Sequence, residues 1–480
     1  MEERLYNFGM IGLGTMGRNF LLNMADHGFA VAGFDLDASK CTLLESTATK
    51  NTIAKGFQEL VAMIASLEKP RKIMMLVPAG NPVDQVISNL LPLIETGDII
   101  IDGGNSHYTD TLRRIQSLEA KGIHFMGVGI SGGEEGARYG PSIMPGGDEA
   151  AWKMVQPLLE AVSAKVNGDP CVAYMGKNAA GHYVKMVHNG IEYAIMQMIS
   201  EVYDFLKKKV GLDNTEMSNI FQQWDSGEMK SFLLEITADI FQVKDTETSH
   251  FLVDMVLDQA GSKGTGKWTS QDAMDLPVSI PSIDVAVAMR DLSDVKEERM
   301  QAAKLYPRKG RKISSQKEAM IRDTQNALYF SLVLAYTQGL SMLYKASSVL
   351  QMNIPLDDVV KIWRGGCIIR SNFLDIFYTI YKSRKGNISN ILLDKAIAKR
   401  LKKQVPGTRR FLRTALQAGI STSGISSAIN YFDAFTQEKM PVNLIQAQRD
   451  YFGAHTYLRN DKSGIYHSEW KPLSTPGIHE

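Results

Sequence analysis

The sequence is poor in three things, and each shortage excludes a class of protein. It has three cysteines in 480 residues, Cys41, Cys171 and Cys367, far apart and odd in number. That fits neither a disulfide framework nor a close-spaced zinc motif, and a reducing compartment is the simple expectation. It has no excess of charge of one sign: 53 Lys and Arg face 52 Asp and Glu, a net +1. A dedicated nucleic-acid binder is strongly basic, and a disordered acidic chain strongly negative. It also lacks long apolar runs, none approaching the ~18 residues of a membrane span. The opening MEERLYNFGM places acids where a secretory leader carries basic residues. A cytoplasmic protein with no membrane or nucleic-acid partner and no metal is expected. Its 44% apolar and 22% charged residues are ordinary for a globular chain, and ~150 residues per domain suggests about three domains.

What is present changes texture along the chain. Short apolar runs recur at Asn7–Ile11, Ala30–Asp35, Lys72–Val77, Asp98–Asp102, His124–Ile130 and Val172–Met175. Continuous runs of this length suit strands buried on both faces of a parallel sheet. Helical patterns lie between them, such as Val83–Glu95, Thr109–Lys121 and Ala150–Ala164. The alternation predicts a doubly wound, Rossmann-like α/β domain over residues 1–177. Residues 178–438 read as all-helical, with long amphipathic segments at His182–Lys209, Lys317–Ser348 and Leu356–Lys382. This half contains an apparent duplication. Asn189–Tyr193 precedes Trp224 as Asn326–Tyr329 precedes Trp363, each Trp being followed by a Gly-containing turn and a short apolar helix. Residues 439–480 form a polar tail whose Tyr466 and Trp470 suggest that it packs on something, another subunit included.

The strongest local motif is Gly12–Leu13–Gly14–Thr15–Met16–Gly17, after a predicted strand and before a predicted helix. That context makes it a dinucleotide fingerprint. The first glycine makes a tight turn, the second lets the pyrophosphate approach the backbone, and the third lets helix and strand pack. Asp35 follows 18 residues after Gly17 at the end of an apolar strand. A carboxylate there accepts hydrogen bonds from the ribose hydroxyls of NAD and repels the 2′-phosphate of NADP. The local Phe34–Asp35–Leu36–Asp37 has two acids, no Arg, and Lys40 as the nearest cation, which favours NAD.

Two Gly-rich loops follow strands, Asp102–Ser106 and Gly129–Ala137. Loops at the carboxyl ends of strands lie on the ligand side of such sheets. Asn105 could orient a hydroxyl there, and the backbone of Ser131, Gly132 and Gly133 could form an anion nest. The helical half then opens with Gly181–Tyr193. At ~100° per residue, Lys185, Asn189 and Glu192 fall within ~60° of one another around a helix, with His188 beside them. A desolvated Lys near a cofactor can serve as a base, and a desolvated Glu can be held protonated as an acid. Further on, Lys263–Gly–Thr265–Gly–Lys–Trp268–Thr269 resembles the end of a P-loop. It lacks the complete GxxxxGK[ST] pattern and a preceding strand, so an NTPase reading fails. An amine and a hydroxyl can still bind a single phosphate. Arg290 and the segment Arg449–His455 are further cationic candidates.

Taken together, GLGTMG, DGGNS, ISGGEEGARYGPSIMPGG, KMVHNGIEY, KGTGKWT and RDYFGAHTY, in order through nearly the whole chain, resemble the 6-phosphogluconate dehydrogenase (decarboxylating) family. The resemblance implies oxidation of the C3 hydroxyl of 6-phosphogluconate by hydride transfer to NAD(P), loss of C1 as CO2, and protonation of the enediol to ribulose 5-phosphate. This is a reaction of the pentose phosphate pathway that needs no metal. It implies Lys185 as general base and Glu192 as the acid that protonates C1. It implies that Gly12, Leu13, Gly14, Thr15, Met16, Gly17, Asp35, Leu76, Val77 and Asn105 face the cofactor. Asn105, Ser131, Gly132, Gly133, His188 and Asn189 are implied around the sugar acid, and Tyr193, Lys263, Thr265 and Arg290 around its phosphate. Arg449 and His455 are implied to come from the partner subunit of a homodimer.

Two departures bear on the cofactor. Family members that use NADP usually show Asn-Arg-Thr where this chain has Asp35–Leu36–Asp37. They usually carry Lys in the loop that here reads Leu76–Val77–Pro78–Ala79–Gly80. Both changes remove cations near the adenosine end, so NAD is expected, with NADP as the alternative. The rival activity is that of a shorter, non-decarboxylating β-hydroxyacid dehydrogenase, against which the KGTGKWT loop, Arg449 and His455 speak. A non-catalytic dinucleotide sensor is disfavoured by the intact Lys185 and Glu192.

Overall fold

The computed structural model of the chain describes residues 5–307 and 316–470. The final ten residues of the expected tail, 471–480, lie outside the described residues. By packing density the chain divides into two units, at Ala428/Ile429.

The first unit opens with a sheet wound by helices. In chain order it runs β1 (Phe8–Ile11), α1 (Thr15–Asp26), β2 (Val31–Phe34), α2 (Ala38–Thr47), β3 (Ala54–Phe57), α3 (Leu60–Ala65), β4 (Lys72–Met75), α4 (Asn81–Leu90), β5 (Ile99–Asp102), α5 (Tyr108–Glu119), β6 (His124–Ser131), α6 (Gly133–Tyr139), β7 (Ser142–Gly147) and α7 (Glu149–Val162). A two-residue-per-strand hairpin, β8 (Lys165–Val166) and β9 (Asp169–Pro170), follows. The sheet order is β3-β2-β1-β4-β5-β6-β7. All pairs are parallel except β6–β7, whose register places Val128 opposite Pro145. The winding direction reverses between β1 and β4, which opens the ligand crevice of this architecture there. One apolar layer lies on each face of the sheet. One is built on Phe8, Met10, Phe20 and Val155, the other on Ile11, Ile73, Ile87 and Phe125.

The expected strand at Val172–Met175 is not one. It is an extended segment beside β7, bonded through Ile143 N to Cys171 O at 2.9 Å, Met175 N to Pro145 O at 2.7 Å and Gly147 N to Gly176 O at 3.1 Å, without the regular register of a strand. The last sheet strand is instead β7, SIMPGG, whose proline and glycines conceal it. Pro145 is tolerated because it faces this irregular outer edge, where its carbonyl accepts from Met175 N at 2.7 Å and no regular ladder asks for its missing N–H.

The helical part comprises α8 (Ala180–Phe205), which runs into a π turn at Leu206–Val210, then α9 (Asn214–Asp225), α10 (Phe232–Ile240), α11 (Leu252–Met255), α12 (Thr265–Asp275), α13 (Pro281–Asp294), α14 (Lys296–Leu305), α15 (Lys317–Val349), α16 (Leu356–Ile362), α17 (Asn372–Ser383), a 3₁₀ turn at Ile391–Leu393 and α18 (Lys395–Ala418). The single helix read over Leu356–Lys382 is broken into α16 and α17. Gly366, at φ +66°, reverses the chain between them, and its carbonyl accepts from Ser142 N at 2.8 Å. Helix α8 and the middle of α15, over 327–343, are buried nearly all round, as core helices are, and they pack closely where a Cβ on Gly339 would stand 2.4 Å from the Ile191 side chain. The duplication has a visible counterpart. Ser231 and Ser371, at the matching turns of the two copies, form an antiparallel bridge with Phe232 N to Arg370 O at 3.1 Å and Asn372 N to Lys230 O at 2.9 Å. Like segments paired antiparallel, each contacting its counterpart, are what a local twofold produces.

Helix α19 (Ser423–Phe435) spans the division between the units. The second unit continues with α20 (Asn443–Gly453) and a hairpin of β10 (Tyr457–Leu458) and β11 (Ile465–Tyr466). Its polar tail folds on itself. The buried Asp450 carboxylate accepts from Thr456 N, Ser468 N and Trp470 Nε1, and lies 2.9 Å from His467 Nδ1. Tyr466 and Trp470 pack on Tyr457 within the same unit. Among the described residues no helix is long and apolar enough to cross a membrane.

Candidate active site

The glycine loop between β1 and α1 shows a division of labour. A Cβ on Gly17 would lie 2.0 Å from the Gly12 carbonyl oxygen, so only glycine lets α1 seat against the strand end. Gly12, at φ +94°, turns the chain beside the Leu76 carbonyl, whereas a Cβ on Gly14 would meet no protein atom within 4 Å. The open position is the one that a pyrophosphate needs. Two clefts meet at this loop. One, of about 460 Å³, is lined by Gly12, Gly14, Asp35, Leu36, Lys40 and Val86 among others. The other, of about 550 Å³, has Thr15, Met16, Gly17, Leu76, Val77, Asn105, Lys263 and Trp268 in its wall. Gly14 lies in the wall of both, so the residues around it suit an elongated group that runs from one cleft to the other. Leu13 is buried, and its contribution is a backbone N–H that donates to Asp35 Oδ2 at 2.8 Å.

Asp35 is held before any ligand arrives. Its other oxygen accepts from Asp37 N at 3.0 Å and from Lys40 Nζ at 3.3 Å. Lys40, the cation nearest the adenosine side, is therefore already paired with the carboxylate.

The loop after β5 is fixed from below. Asp102 accepts from Ser106 Oγ at 2.6 Å and from Gly104 N at 3.0 Å. The buried Arg114 guanidinium reaches Asp84, the Gly80 carbonyl and Ser106. It thus ties together the two loops, 77–80 and 103–106, that line the second cleft. Sequence reading did not find Arg114, which sits on α5 among ordinary helical charges.

Lys185 is 7% exposed. It is buried because α8 crosses β6 and β7 where the strands carry glycines. A Cβ on Gly146 would stand 2.2 Å from Gly181 N. Burial lowers the Lys185 amine from its usual range, opposed by the nearby Glu192 and Cys367. Burial raises the Glu192 carboxyl, opposed by Lys185 and Arg290. His188 is fully buried, and burial, with the Lys185 charge, holds it well below its usual value. Its Nδ1 lies 3.9 Å from Glu192 Oε2, but a neutral ring makes no ion pair. The ring instead meets Ser131 Oγ at 3.3 Å and Asn189 Oδ1 at 3.2 Å.

Asn189 donates to Thr265 Oγ1 at 3.2 Å, which brings the KGTGKWT segment onto the stripe of α8. Tyr193 lies in van der Waals contact with Gly266, and the Arg290 guanidinium stands over its ring at 3.6 Å. Lys185, His188, Asn189, Glu192, Tyr193, Thr265 and Arg290 are thus brought into one neighbourhood, with Lys263 at the cofactor cleft. Gly132 and Gly133, both at positive φ, turn β6 into α6. Arg449 and His455 belong to the second unit and are exposed there.

The turn between α16 and α17 backs the site and was missed by sequence reading. Trp363 meets His188 edge to face at 5.5 Å, and a Cβ on Gly132 would lie 2.6 Å from the Gly366 carbonyl. Only the duplication, which singled out Trp363, pointed to it. Burial pushes the Cys367 thiol up to about 12 and Cys171 to about 11, so neither is a thiolate nucleophile at neutral pH. Among the described residues no group of three or more His, Cys, Asp or Glu is placed to hold a metal ion.

Comparison with known proteins covers both parts of the chain. Residues 7–176 match the model of the NAD binding domain of 6-phosphogluconate dehydrogenase, and residues 181–470 that of the 6-phosphogluconate dehydrogenase C-terminal domain. A "6-phosphogluconate dehydrogenase, decarboxylating" of Lactococcus lactis subsp. lactis is 46% identical over 468 residues, covering 97% of this chain and 98% of the relative. A Bacillus subtilis protein described as NADP(+)-dependent and decarboxylating is 47% identical over 464 residues, 96% of this chain and 98% of its own. The solved Plasmodium falciparum 6-phosphogluconate dehydrogenase, described in apo form and with NADP+ or 6-phosphogluconate, superposes with a TM-score of 0.94 at 40% identity. That match covers 97% of this chain and 100% of the other.

Proposed function

The chain belongs to the 6-phosphogluconate dehydrogenase family and is an oxidoreductase acting on CH–OH with NAD(P); from that premise we propose that it oxidises and decarboxylates 6-phosphogluconate to ribulose 5-phosphate, with NAD as its preferred cofactor. The observation that carries the reaction is the pair on α8: a buried amine shifted down and a largely buried carboxyl shifted up, on one stripe.

The shifts suit the two proton steps. A neutral Lys185 accepts the proton of the C3 hydroxyl. The nicotinamide, when bound, supplies the hydride acceptor. Now protonated, Lys185 hydrogen-bonds the C3 carbonyl oxygen and stabilises the charge that builds there as the C1–C2 carboxylate bond breaks. Lys185 gives its proton to that oxygen as the enediol forms and takes it back as Glu192, kept protonated by burial, delivers a proton to C1, which leaves the ketone of the product. His188, neutral and held by Ser131 and Asn189, is a hydrogen-bonding group rather than a base. Lys263, Thr265, Tyr193 and Arg290 supply the amine, hydroxyls and guanidinium that a phosphate needs. Arg449 and His455 complete the site from a second copy of the chain in a homodimer.

The NAD preference rests on Asp35 and Asp37. A 2′-phosphate placed against them meets two carboxylates, with Lys40 already neutralised by Asp35. The B. subtilis relative is described as NADP(+)-dependent, so this chain would differ from it at the adenosine end. Initial rates with 6-phosphogluconate and each nucleotide, with CO2 release measured in parallel, test both statements. Turnover with NAD at a kcat/KM at least about tenfold above NADP, or about 1.4 kcal/mol, is expected. Equal or better use of NADP overturns the cofactor assignment, and turnover of neither overturns the substrate.

A further inference from the structure

Three elements carry separate parts of the site, and all three meet at one carboxylate that no step of the reaction uses. Helix α5 follows the Asn105 loop, α8 carries Lys185, Asn189 and Glu192, and α12 begins at Thr265 and carries Trp268. Asp272, two turns beyond Thr265 on α12, is 6% exposed. It accepts from the Tyr108 hydroxyl of α5 at 2.5 Å and, through its other oxygen, from the Tyr183 hydroxyl of α8. The two phenol rings meet edge to face at 5.0 Å. Beside them His107 stacks on Tyr108 and meets the Trp268 ring edge to face at 4.8 Å. Trp268 and Lys263 in turn line the cofactor cleft.

We propose that Asp272 is a positioning residue that sets the distance between the cofactor cleft and the phosphate-binding loop, with the Tyr108 arm locating the cofactor side and the Tyr183 arm the substrate side. The chemistry suits the task. A carboxylate accepts two phenol hydrogens at once, and charge-assisted hydrogen bonds are short and strong. Hydride transfer tolerates little error in the approach of its partners. Because Asn189 and Tyr183 both tie α12 to α8, loss of Tyr108 alone leaves Thr265 on the catalytic stripe while freeing the Trp268 wall.

The proposal rests on the reaction proposed above, and its test separates the two. Turnover of 6-phosphogluconate by the unaltered enzyme is measured first; its absence overturns the reaction alone. Tyr108→Phe is then expected to lower kcat about tenfold and raise the primary deuterium isotope effect with 3-deuterated 6-phosphogluconate, leaving the KM for 6-phosphogluconate within about twofold. Tyr183→Phe is expected to raise the KM for 6-phosphogluconate instead, Asp272→Ala to do both, and Asp272→Asn to recover part of the loss. Folded enzyme is normalised by circular dichroism. Independently of turnover, Tyr108→Phe shifts the Trp268 emission, taken as the difference from a Trp268→Phe background. Identical kinetic profiles for the two Tyr variants, an unchanged isotope effect, or an unchanged Trp268 emission would overturn the proposal.

Discussion

Gly129 and Lys185 are in contact to the exclusion of any side chain between them: a Cβ on Gly129 would stand 2.4 Å from the Lys185 Cβ. The strand therefore presses the helix at the residue that carries the amine, and this is what desolvates it. Gly129→Ala forces α8 off β6. Overpacking of this kind costs about 1–3 kcal/mol, and the displaced Lys185 regains solvent. The expected outcome is a lower melting temperature together with a fall in kcat larger than the loss of folded enzyme, read by activity per mole of folded protein.

The amine and the carboxyl give the pH dependence its sign. In the proposed reaction Lys185 accepts a proton when neutral, so kcat/KM is expected to rise with pH through its lowered value. Glu192 is proposed to give up a proton, so activity is expected to fall as pH rises through its raised value. Lys185→Met is expected to lower kcat by about 10²–10⁴-fold, and 6-phosphogluconate should still bind, as measured by calorimetry. A variant with near-normal kcat would remove Lys185 from the proton step.

Glu192→Gln separates the two halves of the reaction. Its amide cannot protonate C1, while the Lys185 side chain and the cofactor cleft stay in place and the Lys185 amine loses one influence that opposes its burial shift. A fall in kcat of about 10²-fold is expected, with loss of the alkaline limb of the pH profile. Retention of that limb would assign it to another group.

At the adenosine end, Asp35→Asn keeps an acceptor for Leu13 N and releases Lys40 from its ion pair. The ratio of kcat/KM for NADP to that for NAD is expected to rise about tenfold or more, since one repulsive charge is replaced and one cation freed. The effect weakens at high salt, as an interaction between partly exposed charges should. An unchanged ratio would show that Asp35 does not read the 2′ position.

Sequence revealed most where the physics is local. The apolar runs of β1, β4, β5 and β6 are legible because parallel strands are buried on both faces. Strand β3, AKGF, is half-exposed and carries Lys55 and Gly56 in place of a continuous apolar run, and β7 hides behind Pro145 and two glycines. Lys185, Asn189 and Glu192 could be grouped because helical spacing places them on one stripe. Asp272 could not be grouped with Tyr108 and Tyr183, which are 164 and 89 residues away in the chain. No periodicity reports such a meeting. The Trp363–Gly366 turn was visible only as half of a duplication, because its contact with Gly132 and His188 joins two parts of the chain that fold by different rules.

The assignment of Arg449 and His455 to the partner's site has a test that needs no image of the dimer. Arg449→Ala and Lys185→Ala homodimers are both expected to be nearly inactive, the first through loss of a cationic ligand and the second through loss of the base. If each site draws Lys185 from one chain and Arg449 from its partner, as proposed, one site of a mixed dimer combines both lesions and the other has neither. Equal mixing and refolding of the two inactive proteins gives one half mixed dimers, each with one intact site, so about a quarter of unaltered activity returns. If Arg449 served the site of its own chain, every site in the mixed dimer would carry one lesion and no activity would return. The same experiment with His455→Ala in place of Arg449→Ala tests the second residue, and failure of both would place the C-terminal segment outside the partner's active site.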